Sequence, residues 1–164
     1  MNASFSTFLY ELLDFRVPKK LLNFLKKDLS PPPPKRQVAA LCRHSENGDV
    51  LLITSRDSGR WVVPKGWPMQ GRSMAEAARR EAWEEAGVRG TIGKDHIGTY
   101  HYAKMLPKGI LVPLEVQVFL MSVEKLSKGF PEQGQRRRGW FAPHVAASMV
   151  EEEGLKQILL QLES

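Results

Sequence analysis

The chain has 164 residues, and its 24 lysines and arginines outnumber its 18 aspartates and glutamates, which gives a net charge of +6 and a pI near 9.6. This length fits one domain with a well-buried core and excludes two ordinary domains, while 42% hydrophobic and 26% charged residues are typical of a soluble globular protein. The positive charge favours an anionic ligand, but it is equally compatible with nonspecific solubility or nucleic-acid contact.

Three features bear on the compartment. The single cysteine, Cys42, excludes an internal disulfide and fits a reducing environment, and its apolar surroundings predict a core position rather than a nucleophile. Residues 110–121 form the longest apolar run, but Pro113, Glu115 and Gln117 interrupt it, so no membrane span is predicted. The N-terminus lacks the pattern of a secretory signal. Together these features predict a cytoplasmic location.

Residues 1–34 are predicted to be an N-terminal helical appendage with a proline linker, followed by the main domain over residues 35–164. Apolar residues of segment 1–30 recur at helical spacing on both sides of Pro18, which predicts two short amphipathic helices. Packing on the domain is favoured over a membrane-surface or partner-binding role. The four prolines at positions 31–34 form a stiff extended segment that marks the boundary.

The main domain begins with a predicted hairpin. Residues 37–43 and 50–56 read as strands, and the turn at residues 46–49 contains Asn47 and Gly48, a natural hairpin signal. Residues 61–64 then lead into a loop.

A helix is predicted after this loop, starting near Met74. Ser73 is the expected N-cap, with Glu76 completing a capping box, and Gly87 is placed to end the helix. Three alanines, Ala75, Ala82 and Ala86, are expected to let the helix pack closely on a sheet.

The remaining elements are strands and then helices. Residues 91–104 are predicted as a strand pair turning around residues 95–98, and the alternating pattern of residues 114–121 predicts another strand. Trp140 begins a further apolar piece, followed by a short helix over residues 143–147 and a terminal helix within residues 151–162. This order of elements predicts an α/β/α sandwich.

The predicted central helix carries three glutamates that share one face. Glu81 and Glu85 lie one turn apart, and Glu84 lies beside them. Like charges at this distance repel, so an inward-facing set needs a compensating cation, and carboxylate oxygens suit Mg²⁺ or Mn²⁺. For an isolated pattern of this kind, a solvated surface row would be the more common explanation.

The segment from Gly66 to Val88 resembles the Nudix box, GX5EX7REUXEEXGU, in which U is a bulky apolar residue. The matching positions are Gly66, Arg80, Glu81, Glu84, Glu85, Gly87 and Val88. Arg72 departs from the pattern because it stands where the family has glutamate, and Ala82 is a small residue at the first U position. In the family the glutamate at the position of Arg72 helps to brace the loop and helix. The presence of arginine there therefore bears on loop geometry more than on catalysis.

The resemblance extends beyond the box and implies a Nudix-type α/β/α sandwich with a mixed central sheet. Residues 35–43, 50–56, 60–66 and 136–141 look like the diphosphoinositol polyphosphate phosphohydrolase branch. That branch acts on diphosphoinositol polyphosphates and dinucleoside polyphosphates, so the expected partner is an anionic polyphosphate small molecule.

By the same resemblance, the expected reaction is metal-assisted attack of water on a phosphoanhydride, which makes the chain a pyrophosphohydrolase. Glu81 and Glu85 are assigned to metal coordination, and Glu84 to metal coordination or proton acceptance. Arg80 is expected to orient the carboxylates through charge-assisted hydrogen bonds. Mg²⁺ or Mn²⁺ is the implied cofactor.

Phosphate binding is assigned to basic residues and to one glycine. The basic candidates are Arg36, Arg43, Arg56, Lys65 and Arg138. Gly66 is expected to let the backbone approach phosphate closely. An additional carboxylate from outside the box is expected, with Glu115 and Glu132 as alternatives.

Several questions stay open at this point. A nucleoside-diphosphate-linked compound, a dinucleoside polyphosphate and a diphosphoinositol polyphosphate are all compatible substrates. Arg72 and the appendage favour, as an alternative, a catalytically weakened phosphate-ligand sensor or protein-binding module. An RNA-end pyrophosphohydrolase is a further alternative, although the sequence has no dedicated nucleic-acid motif. The cleavage position and a homodimer are also left open.

Overall fold

A computed structural model describes residues 33–106 and 109–163 of the chain. The predicted helices of residues 1–30 lie outside the described residues, so the division of the chain at residue 34 stays a prediction. The strands are β1 Lys35–His44, β2 Val50–Thr54, β3 Trp61–Val62, β4 Lys65–Gly66, β5 Val88–Leu106, β6 Ile110–Leu126 and β7 Arg138–Phe141. The helices are α1 Met74–Ala86, α2 Pro143–Met149 and α3 Glu153–Leu160, and a 3₁₀ turn, Gln161–Glu163, follows α3.

The strands form one mixed sheet. Its main path runs in the order β3-β2-β1-β6-β5, with β4 paired to β1 and β7 paired to β2. Strands β1 and β6 are parallel, whereas the other pairs are antiparallel. The predicted mixed central sheet is therefore confirmed.

Helices cover both faces of the sheet. Along β1, Val38, Ala40 and Cys42 belong to the core that includes the buried alanines of α1. The alternate residues Ala39 and Leu41 belong to the core shared with α2 and α3. This alternation of side chains across a strand produces three layers, which confirms the α/β/α sandwich.

The environment of Cys42 matches its predicted place in the core. Its side chain is fully buried, and this burial raises the pKa of the thiol to about 12. A thiol with so high a pKa is protonated at neutral pH and is a poor nucleophile.

Helix α1 begins and ends where the sequence predicts. Ser73 Oγ accepts a hydrogen bond from Glu76 N at 3.2 Å, and the Glu76 carboxylate accepts one from Ser73 N at 3.0 Å, which completes the capping box. Gly87 adopts φ 67°, and this left-handed conformation ends the helix. The predicted contact face is also confirmed, because Ala75, Ala82 and Ala86 are buried.

The predicted strand pair over residues 91–104 is wrong. β5 is a single strand from Val88 to Leu106 that pairs with β6, and the register shifts around His96 are irregularities within it rather than a turn. β6 is also longer than the predicted segment 114–121. The polar residues and glycines around residues 95–98 mark a bulge within one strand rather than a turn between two strands. A long partner strand can continue to pair on both sides of such a bulge.

Other boundaries differ by small amounts. β2 ends at Thr54, two residues before the predicted end, and α2 continues to Met149. α3 begins at Glu153 and gives way to the 3₁₀ turn after Leu160. Among the helices of residues 33–106 and 109–163, none has the length and apolar character needed to cross a membrane.

Candidate active site

The contact between β4 and α1 places Glu81 against the backbone of Gly66. A Cβ atom added to Gly66 would lie 2.2 Å from the carboxylate carbon of Glu81, far inside van der Waals contact. The space that a side chain would fill is thus taken by the Glu81 carboxylate. Gly66 permits a close approach of the Glu81 carboxylate, and its predicted approach to phosphate stays a prediction.

Glu85 is held from two sides at the end of the same helix. Its side chain is buried, with Oε2 accepting a hydrogen bond from Lys65 N at 2.9 Å and Oε1 accepting one from Arg136 Nη2. Burial raises the pKa of Glu85, while the Lys65 amide and the Arg136 charge oppose that rise. The carboxylate is therefore fixed in position by β4 and by the loop that carries Arg136.

Arg136 organises this part of the site. Its side chain is only 8% exposed, and Nε donates to Glu132 Oε2 at 2.6 Å while Nη1 donates to the carbonyl oxygen of Thr54 at 3.1 Å. With its bond to Glu85, the guanidinium joins α1, the end of β2 and the loop before β7. A buried guanidinium with three acceptors can hold two carboxylates close together.

Glu132 is the carboxylate from outside the box that the structure adds to the cluster. Besides its bond to Arg136, Glu132 Oε1 lies 3.3 Å from Arg56 Nη1, and Glu132 N donates to the carbonyl oxygen of Glu84 at 3.0 Å. The other candidate, Glu115, instead pairs with Arg36 at 3.2 Å and lies 3.5 Å from His101.

Glu81 shows the electrostatic result of this crowding. Burial, reinforced by the negative charges of Glu85, Glu84 and Glu132, raises the pKa of Glu81 to about 7, while the charge of Arg136 opposes the rise. The charge of Glu81 is thus opposed by three neighbouring carboxylates. Such a group gains stability from a positive charge placed among its members.

Glu84 lies at the more open side of the cluster. Its side chain is 29% exposed, and Oε1 accepts a hydrogen bond from Arg80 Nε one turn earlier on α1. The predicted contact between Arg80 and a box glutamate is therefore present.

The donor set suits a hard divalent cation, since the carboxylates of Glu81, Glu84, Glu85 and Glu132 offer only oxygen ligands. Within the described part of the chain, however, no three acidic, histidine or cysteine side chains already converge as a metal-binding group. The hydrogen bonds and ion pairs explain this arrangement, because arginines hold one oxygen of Glu84, one oxygen of Glu85 and both oxygens of Glu132.

The six predicted substrate-binding residues divide into two groups. Lys65, Gly66 and Arg56 border the carboxylate cluster through the contacts given above. Arg36 is paired with Glu115 instead, and its side chain is 52% exposed.

Arg43 and Arg138 have other contacts. Arg43 points to the hairpin and the C-terminal turn, where its guanidinium lies 3.4 Å from Gly48 O and 3.5 Å from Leu162 O. Arg138 Nη1 donates to Ala86 O at 2.6 Å, at the C-terminal end of α1. Both arginines thus bind backbone carbonyls. The inward side chain of the run 136–138 is Arg136, which the sequence interpretation passed over.

A polar network beside Lys65 was also not recognised in the sequence. Burial lowers the pKa of Lys65, whose Nζ lies 5.9 Å from the centre of the Tyr102 ring. Tyr102 Oη donates to Gln37 Oε1 at 2.9 Å, and burial raises the pKa of this phenol to about 12. Gln37 and Tyr102 come from different strands, so only the pairing of the sheet brings them together.

Comparison with known proteins gives the class to which this fold and site belong. Residues 33–162 match the model of the NUDIX domain family. The chain therefore belongs to the NUDIX domain family, and its enzyme class is that of the Nudix pyrophosphohydrolases.

Individual relatives agree with the branch suggested by the sequence. The human protein named diphosphoinositol polyphosphate phosphohydrolase 3-alpha is 31% identical over 121 residues, which cover 71% of this chain and 70% of the relative. Nudix hydrolase 16, mitochondrial, of Arabidopsis thaliana is 30% identical over 127 residues, which cover 72% of this chain and 68% of the relative. The predicted resemblance to the diphosphoinositol polyphosphate phosphohydrolase branch is confirmed.

Solved structures support the fold. The E. coli dihydroneopterin triphosphate pyrophosphohydrolase superposes with a TM-score of 0.62 at 18% identity, covering 79% of this chain and 97% of that chain. A C. elegans Ap4A hydrolase superposes with a TM-score of 0.59 at 20% identity, covering 80% and 97%. At these identities the likeness concerns the fold alone.

Proposed function

We propose that the chain is a metal-dependent Nudix hydrolase that cleaves a phosphoanhydride bond in a small polyphosphate, either a diphosphoinositol polyphosphate or a dinucleoside polyphosphate. The observation that carries the proposal is the crowding of Glu81 with three other carboxylates beside basic groups of β4 and the loop before β7. Relatives named as diphosphoinositol polyphosphate phosphohydrolases, and a structurally similar protein named as an Ap4A hydrolase, support this class of substrates. A nucleoside-diphosphate-linked compound has the same bond and belongs in the same test.

Mg²⁺ or Mn²⁺ would be held by Glu81, Glu84 and Glu85, with Glu132 as the added carboxylate. When bound, the ion supplies neutralisation of the nonbridging phosphate oxygens and a more nucleophilic water. The raised pKa of Glu81 and the oxygen-only donor set support this assignment.

The chain's own residues have separate tasks in the proposed reaction. Glu84, whose side chain is more exposed than those of Glu85 and Glu132, accepts the proton of the attacking water, and Arg80 orients its carboxylate. Arg136 keeps Glu85 and Glu132 in place. Arg56 and Lys65 supply positive charge for phosphate oxygens, Arg56 as a guanidinium fork and Lys65 as a point charge.

The test is a substrate screen with product identification by mass spectrometry. Purified protein is incubated with Mg²⁺ or Mn²⁺ and with diphosphoinositol polyphosphates, dinucleoside polyphosphates, nucleoside-diphosphate-linked compounds and triphosphorylated RNA. Glu84→Gln should lower kcat by about 100-fold or more, because it removes the proton acceptor while keeping the shape of the side chain. Glu46→Gln, at an exposed glutamate of the β1–β2 turn, is the matched control.

Each outcome of the screen has a definite meaning. Hydrolysis confined to RNA ends would replace the small polyphosphate with a nucleic-acid substrate. Tight binding without hydrolysis would select a phosphate-ligand sensor, for which the arginine-bound state of Glu84 and Glu85 is the supporting observation. Failure to turn over any member of the panel would contradict the hydrolytic proposal.

We also propose a cytoplasmic location, because the chain has a single cysteine, which is free and buried. Cell fractionation with a tagged chain tests it. Recovery in an oxidising compartment or in an organelle would contradict it.

A further inference from the structure

A second concave site lies against the outer side of α1. It is a cavity of about 220 Å³, and its wall is formed by Arg72, Glu76, Arg79, Arg80, Trp83, Val88 and Arg89. Glu76 also belongs to the capping box and Arg80 also donates to Glu84, whereas the sequence gives no role to Arg79, Trp83 and Arg89. Arg72 is the departure from the box pattern.

Helical geometry separates this cavity from the carboxylate cluster. Arg79 and Trp83 are one turn apart and share a face of α1. Glu81 lies two residues after Arg79, and Glu85 lies two residues after Trp83. Two residues correspond to a rotation of about 200°, so these glutamates point away from that face. Arg80 lies at the border, because it lines the cavity while its Nε donates to Glu84. A ligand of the cavity therefore occupies a different place from a substrate at the cluster.

The wall of the cavity carries a large excess of positive charge. It has four guanidinium groups and one carboxylate. Arg80 is already paired with Glu84, and the carboxylate, Glu76, is engaged with Ser73 in the capping box and also attracts Arg72 and Arg79. Within residues 33–106 and 109–163, Arg72 and Arg79 form no ion pair. Like charges gathered in this way repel one another, and an anion in the cavity would remove the repulsion.

Trp83 holds two of the guanidinium groups at the cavity wall. The guanidinium carbon of Arg80 lies 5.1 Å from the indole centre and that of Arg89 lies 5.8 Å from it. Arg89 is further fixed by its hydrogen bond from Nε to Ser127 Oγ at 3.1 Å. Guanidinium groups that are held over an aromatic ring lose less freedom when they bind an oxyanion.

We propose that this cavity binds a small polyphosphate anion, with Arg72, Arg79, Arg80 and Arg89 as the phosphate-binding groups. Guanidinium forks match the geometry of phosphate oxygens, and several of them suit adjacent phosphates better than a single monoanion. The small volume fits a short phosphate chain. Arg72 has a direct part in the site, since glutamate, the family residue at this position, would repel the same ligand.

The test measures binding of inorganic tripolyphosphate by calorimetry, with EDTA present so that no catalytic metal contributes. The single variants Arg72→Gln, Arg79→Gln and Arg89→Gln should each lower the affinity about tenfold, since each removes charge-assisted hydrogen bonds. Arg72→Glu should lower it further, because it adds a repelling charge. Lys156→Gln, on α3 at the opposite face of the sheet, removes one positive charge elsewhere and should leave the affinity unchanged.

A second measurement places the anion. The chain has four tryptophans, so the indole N–H region of a ¹H–¹⁵N spectrum has few signals, and Trp83→Phe identifies that of Trp83. Tripolyphosphate should shift the Trp83 signal and leave those of Trp61 and Trp140 in place. This spectrum also shows whether each arginine variant is folded, and it needs no enzymatic activity.

Three outcomes would overturn the proposal. The first is affinity that falls with Arg56→Gln but not with the cavity variants, because the anion would then sit at the carboxylate cluster. The second is equal loss in Lys156→Gln, which would mean general charge attraction. The third is an RNA oligonucleotide that binds more than tenfold more tightly at the same ionic strength and loses affinity in the same variants. Absence of hydrolysis in the substrate screen would leave this binding result untouched.

Discussion

A single buried guanidinium determines how the candidate active site is arranged. Arg136 contacts Glu85 on α1, Glu132 in its own loop and the carbonyl oxygen of Thr54 at the end of β2. Glu85 Oε2 and Glu132 Oε1 have other partners, but the two carboxylate oxygens bonded to Arg136 would lose theirs, and a buried polar atom without a partner costs free energy. Removal of the arginine therefore affects more than one interaction.

Arg136→Met should lower the free energy of unfolding by about 3–5 kcal/mol, because it leaves buried carboxylates without their cation. Urea denaturation in EDTA measures the change. Adding Glu85→Gln to Arg136→Met should restore part of the loss, since the uncompensated charge disappears.

The neighbouring arginine offers a matched control. Arg137 is exposed, and its side chain stacks over Trp61 at 5.5 Å, so Arg137→Met should cost only about 1 kcal/mol or less. Equal losses for the two variants would contradict the assigned role of Arg136.

The lack of a side chain at Gly66 also determines the arrangement of the site, because it leaves room for the Glu81 carboxylate. A methyl group at this position would overlap the Glu81 carboxylate at 2.2 Å and force it away from the cluster. Since a displacement of about 1 Å in an active site can cost about 100-fold, Gly66→Ala should lower kcat/KM by that order. Steady-state kinetics on a substrate from the screen measures it.

Gly129→Ala is the corresponding control, because a Cβ atom there meets nothing within 4 Å and the backbone needs no positive φ. It should keep the activity of the parent chain. A Gly66→Ala variant with unaltered kinetics would mean that the position of the Glu81 carboxylate does not matter.

At the scale of elements, sequence predicted best what depends on neighbours in the chain. α1 is the clearest case, because the capping box of Ser73 and the stop at Gly87 involve residues within a few positions of the helix ends. The orientation of the box glutamates follows from the same helical spacing. Local rules sufficed for this element.

Elements and contacts that depend on distant partners were not predictable in this way. The continuity of β5 comes from pairing with β6, and no residue around His96 reveals that partner. Arg136 and Arg138 likewise look equivalent in the sequence, although Arg136 contacts the carboxylates and Arg138 contacts the end of α1. Which of two similar side chains points inward is decided by the loop's position in three dimensions.

The N-cap residue of α1, Ser73, should contribute to the free energy of unfolding. Ser73→Ala removes the hydroxyl that accepts from Glu76 N and should lower the free energy of unfolding by about 1 kcal/mol. Ser58→Ala, at an exposed serine of the turn after β2, should leave the unfolding free energy nearly unchanged. Thermal and urea unfolding of both variants measures the difference, and equal stability of the two would show that the cap contributes nothing.

For the molecule as a whole, α1 separates two opposite charge environments. Its inner face contributes to four crowded carboxylates, and its outer face contributes to four guanidinium groups. Both arrangements contain repulsion that a ligand of opposite charge would relieve. The stability of the protein should therefore respond to cations at one site and to anions at the other, and pH should modulate the first response.

Without metal, the free energy of unfolding should depend on pH through Glu81. The ordinary pKa of a glutamate is 4.5, and in the folded chain that of Glu81 is raised to about 7. Between these values the folded state binds more protons than the unfolded state, so the contribution of Glu81 to stability is complete below pH 4.5 and is lost as the pH rises through 7. In EDTA, Glu81→Gln should therefore gain stability relative to the parent chain as the pH increases from 5 to 8.

Metal should reverse this difference in stability between the parent chain and Glu81→Gln, since a divalent cation binds the ionised carboxylates. At pH 8, Mg²⁺ or Mn²⁺ should raise the melting temperature of the parent chain and have a smaller effect on Glu81→Gln, because binding to the folded state adds stability. Melting curves from pH 5 to 8 with EDTA or metal measure both effects, with Glu46→Gln as the control that keeps the parent's pH dependence. A parent chain whose stability relative to Glu81→Gln is independent of pH would contradict the crowding of the carboxylates, on which the proposed metal site depends.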